Sequence, residues 1–148
     1  MATEQSGEAA ADRRADARRD DDPVVGEVCI TIPAHPQFLR LLRLVASGFA
    51  SDLGFDSDEL EEIRIAVDEA GALLLQDPAV RSIDLVIAAT GPDELRASVV
   101  AVGTPGWAVE VDPIAAELLA IIVERLEITS DPHGRHEVSF GRRTLARP

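Results

Sequence analysis

The run RIAVDEAGALLLQ, Arg64 to Gln76, has helical spacing and carries Glu69 with Leu73 four residues further on. That interval places both side chains on one helix face. A carboxylate followed at this spacing by an amide or a second acid could hold a metal ion or move a proton, but an aliphatic partner can do neither. Two other groupings hold chemistry-bearing residue types. His133 and His136 stand three apart beside Asp131 and Glu137, a loose metal pattern. They fall in a turn between strands, where neighbours alternate faces and no cysteine completes a set, so no metal is expected there. Gly103-Thr104-Pro105-Gly106 matches the spacing of a GXXG loop that clamps nucleic-acid backbone. No basic residue surrounds it, so a plain turn is expected.

Composition narrows the chemistry further. The chain has 148 residues, 46% of them hydrophobic, which suits one compact domain. Its formal charge of −13 would repel a nucleic-acid backbone and favours basic protein partners. No apolar run approaches the roughly 18 residues that span a bilayer, and the start lacks the basic-then-apolar order of a signal peptide. A cytoplasmic protein without membrane contact is expected. All 14 basic residues are arginine, and lysine, asparagine and tyrosine are absent. Mechanisms built on a P-loop lysine, a Schiff-base lysine or a protein-kinase strand lysine are therefore excluded. The single cysteine, Cys29, excludes an internal disulfide, and its place in the alternating run VCITI predicts burial.

The elements that must position these residues follow from the apolar spacing. Residues 1–23 interleave acids with arginine pairs and predict a disordered tail, and residues 24–145 form the single domain. EVCITIP predicts an edge strand stopped by Pro33. Pro36 opens a first helix whose core stripe is Phe38, Leu41, Leu42, Val45 and Phe49, ending near Gly54. Its other face carries Arg40, Arg43 and Ser47. Asp56 caps a second helix, with Glu59 completing a capping-box pattern and Leu60, Ile63, Val67, Ala70 and Leu74 as its core. Between Asp52 and Glu69 eight acids face only Arg64, so that helix exposes a negative surface. SIDLVIAA and LRASVVAV, separated by Gly91 and Pro92, predict a hairpin. Asp112 and Pro113 start a third helix expected to end near Leu126, followed by two short strands around SDPHGR. The order β-α-α-β-β-α-β-β predicts an α+β two-layer sandwich: a mixed sheet of about five strands with three helices on one face.

The stretch PQFLRLLRLVASGFASDLGFDSDELEEIRIAVDEA, Pro36 to Ala70, resembles the anti-sigma factors of the RsbW kind, serine kinases of the GHKL (Bergerat-like) ATPase superfamily. Their first helix carries a proline, an arginine-leucine pair, Ser-Gly and Gly-aromatic. The second begins Asp-Glu-hydrophobic-Glu and runs into an alanine-valine-x-glutamate-alanine core. Both match without a gap, and the order of elements matches over residues 27 to 143. The resemblance implies that Glu69 stands at the general base of the kinase. It also implies that Leu73 stands where the family has the asparagine that ligates the magnesium of ATP. The acid of the family's adenine-reading loop has no counterpart in AVGTPGWAVEV, and the glycine-rich phosphate lid is missing. A degenerate ATP site is therefore expected, with no cofactor. The arginine of the first helix is the family's partner contact, which carries over to Arg43 and, beside it, Arg40 and Ser47. The chain is most similar to a diverged actinobacterial branch, regulators of sigma-F-like factors. The resemblance implies an anti-sigma factor that sequesters a sigma factor, is released by an anti-anti-sigma (STAS) protein, and pairs as a homodimer. The alternative is an active ATP- and magnesium-dependent serine kinase with Glu69 as catalytic base. A stand-alone anti-anti-sigma protein is disfavoured by the long IAVDEA helix and the absence of a phosphorylatable serine at a strand-to-helix turn.

Overall fold

In every strand of the hairpin SIDLVIAATG/ELRASVVAV, apolar residues recur at alternate positions, so one sheet face is greasy and must be covered. The computed structural model of the chain describes residues 26–145, and the tail expected over 1–23 lies outside them. Five strands form one sheet: β1 (Glu27–Pro33), β2 (Ser82–Gly91), β3 (Glu94–Val102), β4 (Glu124–Ser130) and β5 (Arg135–Arg143). Their spatial order is β1-β2-β3-β5-β4. Every pairing is antiparallel, so the sheet expected to be mixed has a single sense. Among the described residues three α-helices, α1 (Leu39–Asp52), α2 (Ser57–Leu74) and α3 (Pro113–Ile122), complete the α+β sandwich anticipated from the sequence. Among the described residues no helix is long and apolar enough to cross a membrane.

The inward residues Ile83, Leu85, Ile87, Leu95, Ala97, Val99, Val138 and Phe140 are buried and form one core with the helices. Cys29, expected to be buried, is exposed. The register pairs Cys29 with Val86, on the uncovered face, and puts Ile30 and Ile32 opposite the buried Leu85 and Ile83. The alternation was sound, but its phase placed the cysteine outward, because a one-residue slip exchanges the two faces of a strand.

Local signals start the helices. Pro36–Phe38 makes a 3-10 turn capped by His35 before α1 begins. The Asp56 side chain accepts from the Glu59 amide at 2.9 Å while Glu59 accepts from the Asp56 amide at 3.0 Å, the reciprocal capping box the sequence announces. Glu59 does more than cap. Its carboxylate also accepts from the Thr144 hydroxyl at 2.7 Å and the Leu145 amide at 2.9 Å, fastening the end of β5 to the start of α2.

The third helix is shorter than its apolar run suggests. It stops at Ile122 rather than near Leu126, because Val123 is already extended and residues from Glu124 onward pair with β5. Arg142 donates to the Ile122 carbonyl at 2.6 Å, satisfying one of the orphan acceptors of the helix end. Its other guanidinium nitrogen sits 2.7 Å from Glu62 and 3.7 Å from Glu59. One arginine thus holds the end of α3 against α2.

Candidate functional site

α1 and α2 pack through small residues. Ala46 and Ala50 on α1 and Ala66 and Ala70 on α2 are fully buried, which lets the two helices come close. At Gly71 an added Cβ would lie 2.6 Å from a Leu39 methyl, so any side chain there would require Leu39 to shift. The packing decides which α1 residues face outward. Arg40 and Gly48 are exposed and Leu44 is 62% exposed, a row at successive helical turns. Arg43 is half-buried and its guanidinium lies 2.5 Å from Asp68 on α2. Ser47 is only 6% exposed and its hydroxyl donates to the Leu44 carbonyl. The structure therefore brings Arg40 and Arg43 to the rim of one outward surface and turns Ser47 into the interhelix seam. Leu44 is the residue of this surface that sequence reasoning missed. Its signal was present, since it falls off the core stripe and one turn after Arg40.

Glu69 and Leu73 share a face of α2 but not an environment. Glu69 is half-buried, whereas Leu73 is 6% exposed and belongs to the core. Leu73 offers no donor or acceptor, and a metal ion cannot be held by one carboxylate and a hydrocarbon.

Just beyond α2 lies a buried polar network that the sequence did not reveal. Asp77 accepts from the Thr104 amide at 2.6 Å, the Thr104 hydroxyl at 2.8 Å and the Ala79 amide at 3.0 Å. Its second contact at Oδ2 is the His136 Nε2, 2.9 Å away. Burial by itself would raise the Asp77 carboxyl, but the hydrogen bonds from His136, Thr104 and Ala79 outweigh it and hold the group well below the usual carboxylate range. An ionised Asp77 can only accept, so His136 Nε2 is the donor to it, while Nδ1 lies 2.9 Å from the Ser130 hydroxyl. Ser130 in turn lies 3.4 Å from the Val109 amide. The ring of His136 is fully buried. Ser130, His136 and Asp77 have the composition of a nucleophilic triad in the reverse orientation, with serine on Nδ1 and carboxylate on Nε2, and the buried ring admits no substrate. The network is a fastener. His133, by contrast, is exposed in the β4–β5 turn, so the two histidines do not converge.

What it fastens is the segment between β3 and α3. Gly103 lies so close to the Asp77 carboxylate that any Cβ would strike it, and its amide donates to the Gly134 carbonyl at 2.8 Å. Thr104–Trp107 closes as a turn, with Gly106 in the left-handed region at φ 81°, as expected for this glycine-bounded segment. Further along, the Gln76 side-chain amide donates to the Glu110 carbonyl at 2.9 Å and accepts from the Glu110 amide at 3.1 Å. Asp77, Ser130 and Gln76 therefore pin three points of residues 103–110.

Among the described residues, three carboxylates sit below their ordinary range. For Asp77 and Glu59, burial raises the group and hydrogen bonds more than compensate; for Asp131, the Arg135 amide is the leading cause. Each binds protons more weakly folded than unfolded, so its stabilisation is complete above the unfolded value of about 4 and is lost as pH falls toward the folded value. Thermal melts are expected to hold steady from pH 7 to 5 and to decline steeply below about pH 4. A flat profile down to pH 3 would contradict the network.

The fold and the paired helices thus define an α+β domain with an outward α1 surface and a stapled segment between β3 and α3. Comparison with known proteins adds a segmental likeness. The chain is 46% identical over 39 residues to serine-protein kinase RsbW of Bacillus subtilis (strain 168), covering 26% of this chain and 24% of that protein. It is 46% identical over 41 residues to the RsbW of Halalkalibacterium halodurans, and 41% identical over 44 residues to that of Listeria monocytogenes serotype 4a. The matched segments span about a quarter of the length of these relatives. No family model matches the chain.

Proposed function

We propose that this chain is an RsbW-like anti-sigma factor that works by binding, sequestering a sigma factor through the outward face of α1 and yielding it to an anti-anti-sigma partner of the STAS type. The observation that carries the binding-only reading is Leu73. It stands, by resemblance, at a magnesium-ligand position, and its side chain is packed into the core. The residues present do not fit magnesium-ATP. The site lacks an oxygen ligand beside Glu69, and the Asp77 carboxylate fills the space next to Gly103. The stapled segment 103–110 supports the same reading, because closure over phosphates requires a loop free to move. Arg40 and Arg43 are the charged groups suited to anchoring an acidic partner patch, and the guanidinium fork pairs two ways with a carboxylate.

Isothermal titration with magnesium-ATP is the direct test. No heat is expected at millimolar nucleotide. A micromolar dissociation constant, or transfer of phosphate to a STAS-domain protein, would overturn the binding-only reading and establish the kinase alternative with Glu69 as base.

A further inference from the structure

α3 is apolar on two sides. Leu119 and Ile122 are buried, as the inner face of a packed helix should be. Ile114, Leu118 and Ile121, at i, i+4 and i+7, point the other way and are 77%, 41% and 80% exposed. These three lie within one narrow stripe of the helix. A helix that is apolar all round is normally covered on both sides, yet among the described residues nothing covers this stripe.

The charges bordering the stripe select its occupant. Asp112 caps the helix, Glu117 lies three residues after Ile114 and four before Ile121, and Glu124 follows the last turn. Glu110 precedes the cap. None of these four carboxylates forms an ion pair among the described residues. The nearest arginine in sequence, Arg125, is engaged instead with Glu94 and packed over Gly141 on the uncovered face of the sheet. A second copy of this chain docking stripe to stripe would bring acid onto acid, and an anionic membrane would be repelled in the same way. A helix with an apolar stripe at matching spacing and basic flanks satisfies both the hydrocarbon and the rim. We infer that the outward face of α3 is a docking site for a basic amphipathic helix of a partner protein, distinct from the α1 surface. The inference stands on α3 alone and does not require the anti-sigma reading.

The test uses two labelled 18-residue peptides of identical composition. In one, leucines fall at i, i+4 and i+7 among lysines; in the other the order is scrambled. Fluorescence anisotropy with the full chain is expected to show the patterned peptide binding at least about tenfold more tightly than the scrambled one. The charge-neutral double change Ile114→Ser/Ile121→Ser should erase that difference, and Glu117→Gln should weaken patterned binding and its salt dependence. Because both isoleucines are exposed, the double variant should keep its circular dichroism spectrum. If it does not, Ile121→Ser alone carries the same readout at reduced size. Equal binding of the two peptides, or a preference untouched by the isoleucine changes, overturns the proposal. So does a concentration-dependent mass increase of the parent that Ile114→Ser/Ile121→Ser abolishes, since that outcome assigns the stripe to a second copy.

Discussion

The His136→Ala variant is expected to melt far below the parent protein. The change removes the donor to Asp77 Oδ2 and the hydrogen-bond partner of Ser130 from a fully buried site. Asp77 would keep its charge with one hydrogen bond fewer, and a cavity would open between Asp77 and Ser130. Leaving a buried carboxylate short of a hydrogen bond costs about 1–3 kcal/mol or more, and the cavity adds to it, for about 3–5 kcal/mol in all. In a domain of this size that corresponds to a fall in melting temperature on the order of 10–20 °C. Ser130→Ala is the companion measurement: it deletes the contacts to His136 Nδ1 and the Val109 amide and should cost about 1–2 kcal/mol. If His136→Ala melts within about 1 kcal/mol of the parent, the network is not the fastener described here.

The second large effect concerns the α1 surface. Arg40→Glu combined with Leu44→Ser should leave stability within about 0.5 kcal/mol, because both side chains are exposed and neither has a charged partner among the described residues. The same pair of changes should weaken capture of the sigma factor by about 2 kcal/mol or more, roughly thirtyfold, by removing an apolar anchor and reversing a charge beside it. Arg43→Glu should also lose binding, but it places a carboxylate against Asp68 and therefore costs some stability, about 0–1 kcal/mol given the partial exposure of the pair. Arg81→Glu, exposed at the start of the hairpin, is the control and should bind as the parent does. If Arg40→Glu/Leu44→Ser is folded and still captures the sigma factor with parental affinity, the α1 face is not the binding surface. Surface plasmon resonance with a melting curve for each variant separates the two effects.

The parts of this molecule that were legible in the sequence are those set by neighbours along the chain. The Asp56/Glu59 capping box and the Asp112-Pro113 helix start each depend on contacts within three residues, and both stand where the sequence placed them. The hairpin and the core stripe of α2 depend on periodicity alone, and they too are found. What the sequence concealed was phase and distance. Cys29 and Ser47 each belong to a correctly recognised element, but which side of that element meets the rest of the protein is fixed by packing. The Asp77–His136 contact spans 59 residues, and no local rule brings such a pair together. A partial signal existed in HEVSF, where His136 alternates with Val138 and Phe140 and must point inward with them. A histidine in that phase requires a buried partner, but nothing in the run names Asp77 as that partner.

The carboxylate of Glu59 ties together parts of the chain made at very different times. It completes the first turn of α2, yet two of its ligands lie 85 and 86 residues downstream, at the far end of β5. α2 can nucleate early from its own capping box, but its start reaches full stability only after the last strand has found its place beside β3. Closing so long a loop carries a large entropic cost before any contact repays it, which slows folding and makes it depend on the whole chain. The protein is thus knit from end to beginning, with one carboxylate shared by the start of its helical pair and the end of its sheet.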